Sequence, residues 1–252
     1  MTDKTLDEKT GERIAKVIAR AGVCSRRDAE KLIQAGRVAL NGEAVKSPAL
    51  NVDADALITV DGVAIPDASP ARLWRYHKPT GLVTSHRDPE GRPTVFSHLP
   101  PHLPRVMSVG RLDINSEGLL LLTNDGDLAR RLELPSQGWL RRYRARLHGD
   151  VRQSLLDRLK TGATIEGVRY GPVSAELERT KGSNAWAMVS LTEGKNREVK
   201  KVMEHLGLKV ARLIRVSFGP FHLGHLPEGE VGEIPGKVWR EQLGMQKAKR
   251  PG

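Results

Sequence analysis

The sequence predicts an α+β protein, and three observations carry that reading. Near the N-terminus, apolar residues recur twice at helical spacing and then give way to short runs that close on Asn-Gly and Asp-Gly. From Leu73 onward, eight strand-like segments are interrupted by only three helical ones, too few for a crossover helix between successive strands. At ~100–200 residues per domain, the 252 residues fit one large domain or two unequal ones and can bury a real core.

Residues 1–11 are expected to form a disordered tail. Ile14, Val17 and Ile18 then share a helical face, and Gly22 supplies the stop. Ser25, with Asp28 three residues later, reads as an N-cap opening a second helix through Ala29, Leu32 and Ile33 to Gly36. Arg37–Gly42 reads as a short strand ending in an Asn-Gly turn, and Ala56–Val60 as a second strand closing into Asp61-Gly62. These elements make a small module over 12–62, and 63–71, with two prolines and small side chains, reads as a linker. In the larger domain, 72–245, strands are expected at 73–77, 81–85, 105–109, 119–123, 140–147, 172–179, 185–192 and 209–217. Helices are expected at 127–133, 151–160 and 197–206, the second placing Val151, Leu155, Leu156 and Leu159 on one face. A basic tail, 246–252, ends the chain.

Lys and Arg number 41 against 30 Asp and Glu, a formal charge of +11. A polyanionic partner is expected, since each phosphate neutralised by Lys or Arg releases condensed counterions. Four Trp, three Tyr and three Phe are few for a single-strand binder built on stacking platforms. Residues 1–61 balance ten basic against ten acidic side chains, so the whole excess lies beyond them. Yet Arg13–Arg37 hold seven basic residues opposed only by Asp28 and Glu30, enough for a basic face. The single cysteine, Cys24, excludes an internal disulfide and a cysteine-based zinc cage and fits a reducing cytoplasm. The opening MTDKTLDEKT has no signal-peptide pattern, and the longest Leu/Ile/Val run is Leu119–Leu122. A membrane span needs ~20 residues, so a soluble cytoplasmic protein without membrane contact is expected.

Metal and nucleotide motifs fail on inspection. His98 and His102 are four apart, but the intervening Leu-Pro-Pro breaks a helix. Gly194-Lys195-Asn196 lacks the rest of a phosphate-binding loop, with Val189 where the first glycine is required. No GxSxG is present. No cofactor and no metal is expected.

The most informative stretch runs from Gly110 to Gly126, GRLDINSEGLLLLTNDG. A polar loop holding Asp113 enters the apolar run Leu119–Leu122 and ends at Asn124-Asp125-Gly126. A carboxylate on a loop held by a rigid strand suits catalysis. The same residue could equally cap a turn or pair with Arg111.

Here two resemblances become specific. SRRDAEKLIQAGRVALNG, within 12–61, resembles the small RNA-binding domain of a ribosomal small-subunit protein (ribosomal protein S4-like). That likeness implies phosphate contacts for Arg26, Arg27, Lys31 and Arg37, the alternative being solvated helix faces. GRLDINSEGLLLLTND resembles the catalytic-aspartate motif of RNA pseudouridine synthases acting on ribosomal RNA, the RsuA/RluB group. Lys78-Pro-Thr-Gly-Leu-Val83 resembles the family's first, mainly structural motif, and Arg142-Tyr143-Arg144 the strand bearing the active-site tyrosine. Glu193–Lys201 and Ala211–Gly219 resemble the third motif and its trailing strand, closer to the large-subunit member than to the small-subunit one. Ser116 and Glu198 depart from the commoner Thr and Gln.

The resemblance implies a mixed, mainly antiparallel sheet domain that isomerises uridine to pseudouridine without a cofactor. Asp113 is then the essential carboxylate, acting either as nucleophile at the sugar or as base at its 2′ carbon. Ionisation in either role calls for a cation, assigned to Lys200 with Lys201 as the rival. Tyr143 would stack on the base and assist proton loss from C5, Leu213 would pack against it, and Arg111 would reach phosphate or fill the space left by a flipped uridine. Arg130, Arg131, Arg141, Arg142, Arg144, Lys195 and Arg197 would add backbone contacts. The expected partner is ribosomal RNA, of the large (23S) subunit first and the small subunit second, at a stem-loop or bulge, free or in ribosome assembly intermediates, with the protein a monomer. A different class, a non-catalytic RNA-binding or assembly protein on the same fold, would not need Asp113, Tyr143 and Lys200 together.

Overall fold

A computed structural model describes residues 11–245, so all but the last residue of the expected tail at 1–11, and the whole of 246–252, lie outside the described residues. The chain divides into two compact units, the first ending at Ala71 and including Asn124–Gly126.

The first unit contains β1 (Glu12–Arg13), α1 (Ile14–Arg20), α2 (Arg26–Gln34), β2 (Val38–Leu40), β3 (Glu43–Ala44), β4 (Asn51–Val52), β5 (Ile58–Val60) and β6 (Val63–Ala64). The Asp28 N–H donates to the Ser25 hydroxyl at 3.1 Å, the expected cap of α2. Ile14, Ala15 and Ile18 of α1 pack with Ala29 and Ile33 of α2 against Val38, Val52 and Ile58. Strands β3-β2-β5-β6 form one antiparallel sheet, and β1 pairs with β4. Asn41-Gly42 and Asp61-Gly62 all hold positive φ, the conformation a two-residue hairpin turn demands. The second of these turns carries the chain straight into pairing, Val60 opposite Val63, so the first two residues of the expected linker are strand.

The second unit contains β7 (Leu73–Lys78), β8 (Met107–Val109), β9 (Glu117–Thr123), α3 (Gly126–Glu133), β10 (Arg141–His148), α4 (Gln153–Leu156), β11 (Ala163–Ile165), β12 (Val168–Tyr170), β13 (Val173–Lys181), β14 (Asn184–Leu191), α5 (Glu198–His205), β15 (Lys209–Phe218), β16 (Phe221–His222), β17 (Val231–Ile234) and α6 (Gly236–Gln242). The main sheet runs β13-β14-β10-β15-β9-β7-β17, with β8 and β16 alongside β9 and β15. Only β15 and β9 are parallel within it, so the sheet is mixed and mainly antiparallel. All seven residues of β9 are buried, which is why Leu119–Leu122 within it is a continuous apolar run rather than an alternation. Leu120 and Leu122 pack with Trp74, Tyr76, Val95 and Leu112. Val199, Val202 and Met203 of α5 pack with Ala145, Ala187, Val189 and Leu213 on the sheet.

The expected strand at 81–85 is a loop with a single bridge, Val83 to Thr94. Its polar groups go elsewhere: the Gly81 N–H donates to the Ile114 carbonyl at 2.7 Å and the Thr84 hydroxyl to the Leu112 carbonyl at 2.8 Å. The expected helix at 151–160 is one α-turn, α4, continued as a 3₁₀ turn over Asp157–Thr161, with Val151, Leu156 and Leu159 still buried. The hairpin β11–β12, turning on Glu166-Gly167 at positive φ, escaped the sequence because Glu-Gly is a weak turn signal. No helix among the described residues is long and apolar enough to cross a membrane.

Candidate active site

The loop between β8 and β9 is pinned almost atom by atom. The Gly110 N–H donates to Glu133 Oε1 at 2.6 Å, and the Leu112 N–H to the Thr84 hydroxyl at 3.3 Å. Lys78 Nζ, on a side chain with no exposed surface, donates to the carbonyls of Asp113 (3.2 Å), Ser116 (2.9 Å) and Pro79 (2.9 Å). The Ser116 N–H donates to the Asp113 carbonyl at 2.9 Å. The turn is therefore made by main chain and buried neighbours, not by the Asp113 carboxylate. Hydrogen-bonded elements of this kind hold a side chain within the narrow tolerance catalysis requires.

That carboxylate lies 3.7 Å from Lys200 Nζ, on a side chain one-tenth exposed, while Asp113 keeps 31% of its own side chain accessible. Lys201, one residue on, is only partly buried. Burial pulls the Lys78 ammonium down to about 8, partly offset by attraction to Asp113 and Glu117. The ordinary charge of a strand-end lysine is thus retained at neutral pH against an apolar environment, anchored on three carbonyl oxygens.

One lateral row of the sheet collects the remaining pieces. Tyr143 of β10 lies opposite Arg215 of β15, Arg215 opposite Gly118 of β9, and Gly118 opposite Lys78 of β7. Paired residues share a face of a sheet, so Tyr143, Arg215 and Lys78 project the same way. Leu213, opposite Ala145, projects to that face too and is buried in the core beneath α5. Tyr143 packs against two core clusters of the unit. Gly118 has φ +102°, and a Cβ there would sit 2.4 Å from the Arg215 carbonyl oxygen. Only glycine lets β9 and β15 approach this closely. Arg215 is buried, its Nε donating to the Leu119 carbonyl at 2.7 Å. On the other face, Arg212 makes a bidentate pair with the buried Glu117 at 2.6 and 2.9 Å.

The remaining predicted residues divide by whether they are already engaged. Arg141 donates to the Trp139 and Thr192 carbonyls at 2.9 and 2.6 Å and lies over the Phe218 ring. Arg144 pairs with Glu178 at 2.8 Å over Trp186, and Lys195 donates to the Arg169 carbonyl at 2.7 Å and to Glu193 at 2.6 Å. All three make contacts within the unit. Arg131 donates to the Leu243 carbonyl. Arg111, Arg130, Arg142 and Arg197 are exposed. In the first unit Arg26, Arg27, Lys31 and Arg37 are all exposed. Arg26 faces Glu30 at 3.5 Å, Lys31 faces Asp28 at 3.6 Å, and Arg37 forms a bidentate pair with Asp61.

Sequence reasoning left Lys78 as a structural residue and passed over Gly118 and Arg215. A signal for Lys78 exists: Trp74, Tyr76 and Lys78 alternate on one face of β7, so a lysine stands where the pattern requires an inward apolar residue. The contacts that explain it cross 35 and 38 residues of chain, which no local pattern reveals.

Residues 72–205 match the RNA pseudouridylate synthase family and residues 12–58 the S4 domain family. An RNA pseudouridine synthase of Rickettsia felis is 49% identical over 90% of this chain and 98% of its own length. The ribosomal large subunit pseudouridine synthase B of Pseudomonas aeruginosa is 42% identical over 96% of this chain and 65% of its own. A crystal structure of a pseudouridylate synthase superposes with a TM-score of 0.63 at 28% identity, covering 91% of this chain and 99% of that one.

Proposed function

Because this chain belongs to the RNA pseudouridylate synthase family, we propose that its substrate is large-subunit (23S) ribosomal RNA and that Asp113 carries the reaction. The large-subunit reading rests on similarity to synthases of that name from Pseudomonas aeruginosa and Yersinia pestis, 42% and 40% identical over 96% and 92% of this chain. The observation that carries the site is the Asp113 carboxylate, accessible on a pinned loop with the Lys200 ammonium 3.7 Å away. The Lys200 ammonium supplies a counter-charge beside the carboxylate that either role uses.

The reaction breaks the N1–C1′ glycosidic bond of a uridine, turns the base, and joins C5 to C1′. The C5 proton leaves to solvent and N1 ends protonated, so product and substrate are isomers. Asp113 acts at the sugar, either on C1′ or on the 2′ hydrogen. Tyr143 stacks on the flipped base and assists proton loss from C5, while Leu213 supports the ring from the sheet. Arg111, exposed beside Asp113, reaches phosphate or occupies the gap in the stack. Residues 12–62 dock the RNA through Arg26, Arg27, Lys31 and Arg37, with Arg142 and Arg197 continuing the phosphate contacts. Flipping costs a few kcal/mol in a paired stem and less in a loop, so the target lies in a stem-loop or bulge, met by a cytoplasmic monomer on free RNA or assembly intermediates.

Tritium release from C5-labelled, unmodified transcripts tests this directly. Release from large-subunit RNA alone is the expected result. Release from small-subunit RNA alone reverses the substrate assignment, and tight binding without release from either RNA or from precursor particles favours the non-catalytic class.

A further inference from the structure

The two faces of the main sheet carry different chemistry. Along β10, Tyr143, Ala145 and Leu147 project toward the core, so Arg142, Arg144, Arg146 and His148 project the other way. The alternation in β14 is as strict: Ala185, Ala187, Val189 and Leu191 are buried, while Asn184, Trp186, Met188 and Ser190 are half-buried. Both α4 and α5 pack on the buried set. Pairing aligns the reverse side into rows. Arg179, Trp186, Arg146 and Arg212 lie side by side across β13, β14, β10 and β15, and Lys181, Asn184, His148 and Lys209 form the adjoining row. At ~4.8 Å between strands, each row spans about 14 Å.

Neither row contains a carboxylate. Arg179, Arg146, Lys181 and Lys209 are exposed and have no acidic partner among the described residues. The acids of this side stand one row over, around Arg144: Glu178 pairs with Arg144 itself, Glu117 reaches across to Arg212, and Glu176 lies opposite Met188. Arg146 directly opposite Arg212 sets like charge against like, which costs a free sheet stability and which an anion laid across the row would relieve. Trp186 stands inside this basic row with the Arg144 guanidinium 4.8 Å from its ring centre. We propose that these two rows form a second RNA-docking surface, on the side of the sheet opposite Tyr143 and α5, holding the phosphate backbone of ribosomal RNA beyond the target loop, with Trp186 offering its ring to an unpaired base. The proposal deepens the ribosomal-RNA reading above and rests on it. Charge complementarity names the occupant: cations without acids attract a polyanion, and an RNA anchored at Asp113 brings its own flanking phosphates at high effective concentration.

Arg146→Gln, Arg179→Gln and Lys209→Gln are combined in the full chain. Arg152→Gln, Arg158→Gln and Lys160→Gln, exposed around α4, remove the same charge elsewhere as a control. Filter binding of unmodified large- and small-subunit transcripts is measured across salt, with single-turnover tritium release at saturating protein. The reverse-face variant is expected to bind large-subunit RNA about tenfold more weakly at physiological salt, with a salt slope lower by about 2 and release within about twofold of the wild type. The control should lose less than about threefold in affinity. Equal losses in the two variants overturn the proposal, because bulk charge then accounts for the binding. Slower release at saturating protein also overturns a docking role, since it places these residues in the reaction. Unchanged RNA affinity with weaker binding to ribosome precursor particles transfers the face to an acidic protein and overturns the RNA assignment. Wild-type release from small-subunit RNA alone, or from neither RNA, overturns the reading above instead, while the affinity difference between the two variants still judges this face.

Discussion

The loop around Asp113 and the basic face of α2 are both polar, but they are built in opposite ways. Around Asp113 the polar groups are spoken for, with buried Lys78 and Thr84 and the exposed Glu133 each bonded to loop backbone. On α2 the cations are exposed, and those with partners meet them as surface pairs, Arg26 with Glu30 and Lys31 with Asp28. A buried polar network fixes one geometry because an unsatisfied member is costly. An exposed pair contributes ~0–1 kcal/mol and yields to a phosphate. The first design suits chemistry, which tolerates little displacement. The second suits docking on a polyanion, where charge matters more than angle.

Lys78→Met should break that contrast most sharply. It strips three carbonyls of their donor, and turnover is expected to fall about 100-fold from displacement of the Asp113 loop while RNA affinity stays within about twofold. Single-turnover rates and filter binding separate the two. Stability carries its own mark. The folded Lys78 value of about 8 lies below its ordinary 10.5, so between these limits the unfolded chain binds more protons and this group's contribution to stability grows as pH rises. Below about 8 both states carry the proton and the contribution is flat. Melting curves from pH 7 to 10 should show that rising slope in the wild type relative to Lys78→Met.

Gly118→Ala comes next. With φ +102° and a carbonyl 2.4 Å from the added Cβ, it should cost about 2–4 kcal/mol, read by urea melts, because two backbones must separate. Arg27→Ala, on the docking face, should weaken RNA binding about threefold and lower the salt slope by about 1, leaving single-turnover chemistry unchanged. Arg37→Ala should do less still, since its guanidinium already faces Asp61 and gains less from a phosphate. If Arg27→Ala instead slowed single-turnover chemistry, the division between the two regions would fail.

How much of this was legible in the sequence follows the same division. The N-cap at Ser25, the two hairpin turns and the buried run Leu119–Leu122 rest on contacts a few residues long, and they read correctly. Asp113, Tyr143 and Lys200 were singled out through motif likeness, and folding brings Lys200 beside Asp113 across 87 positions of chain. The loop at 81–85 read as strand because Leu82, Val83 and Thr84 have the composition of one. Its polar groups are instead committed to residues 112 and 114, about 30 positions away, through the Thr84 hydroxyl and the Gly81 N–H. The same distance hid Lys78. Cations in the third motif looked alike on paper, and only packing shows that Lys195 is tied to Glu193 while Arg197 is exposed.

The most direct test of the central claim is Asp113→Asn, measured for both turnover and binding on large-subunit RNA. The isostere keeps the pinned loop and removes the charge facing Lys200. Loss of tritium release below detection, with affinity within about twofold of the wild type, is the predicted result. Turnover at the wild-type rate would remove Asp113 from the chemistry and contradict the catalytic role assigned to its loop.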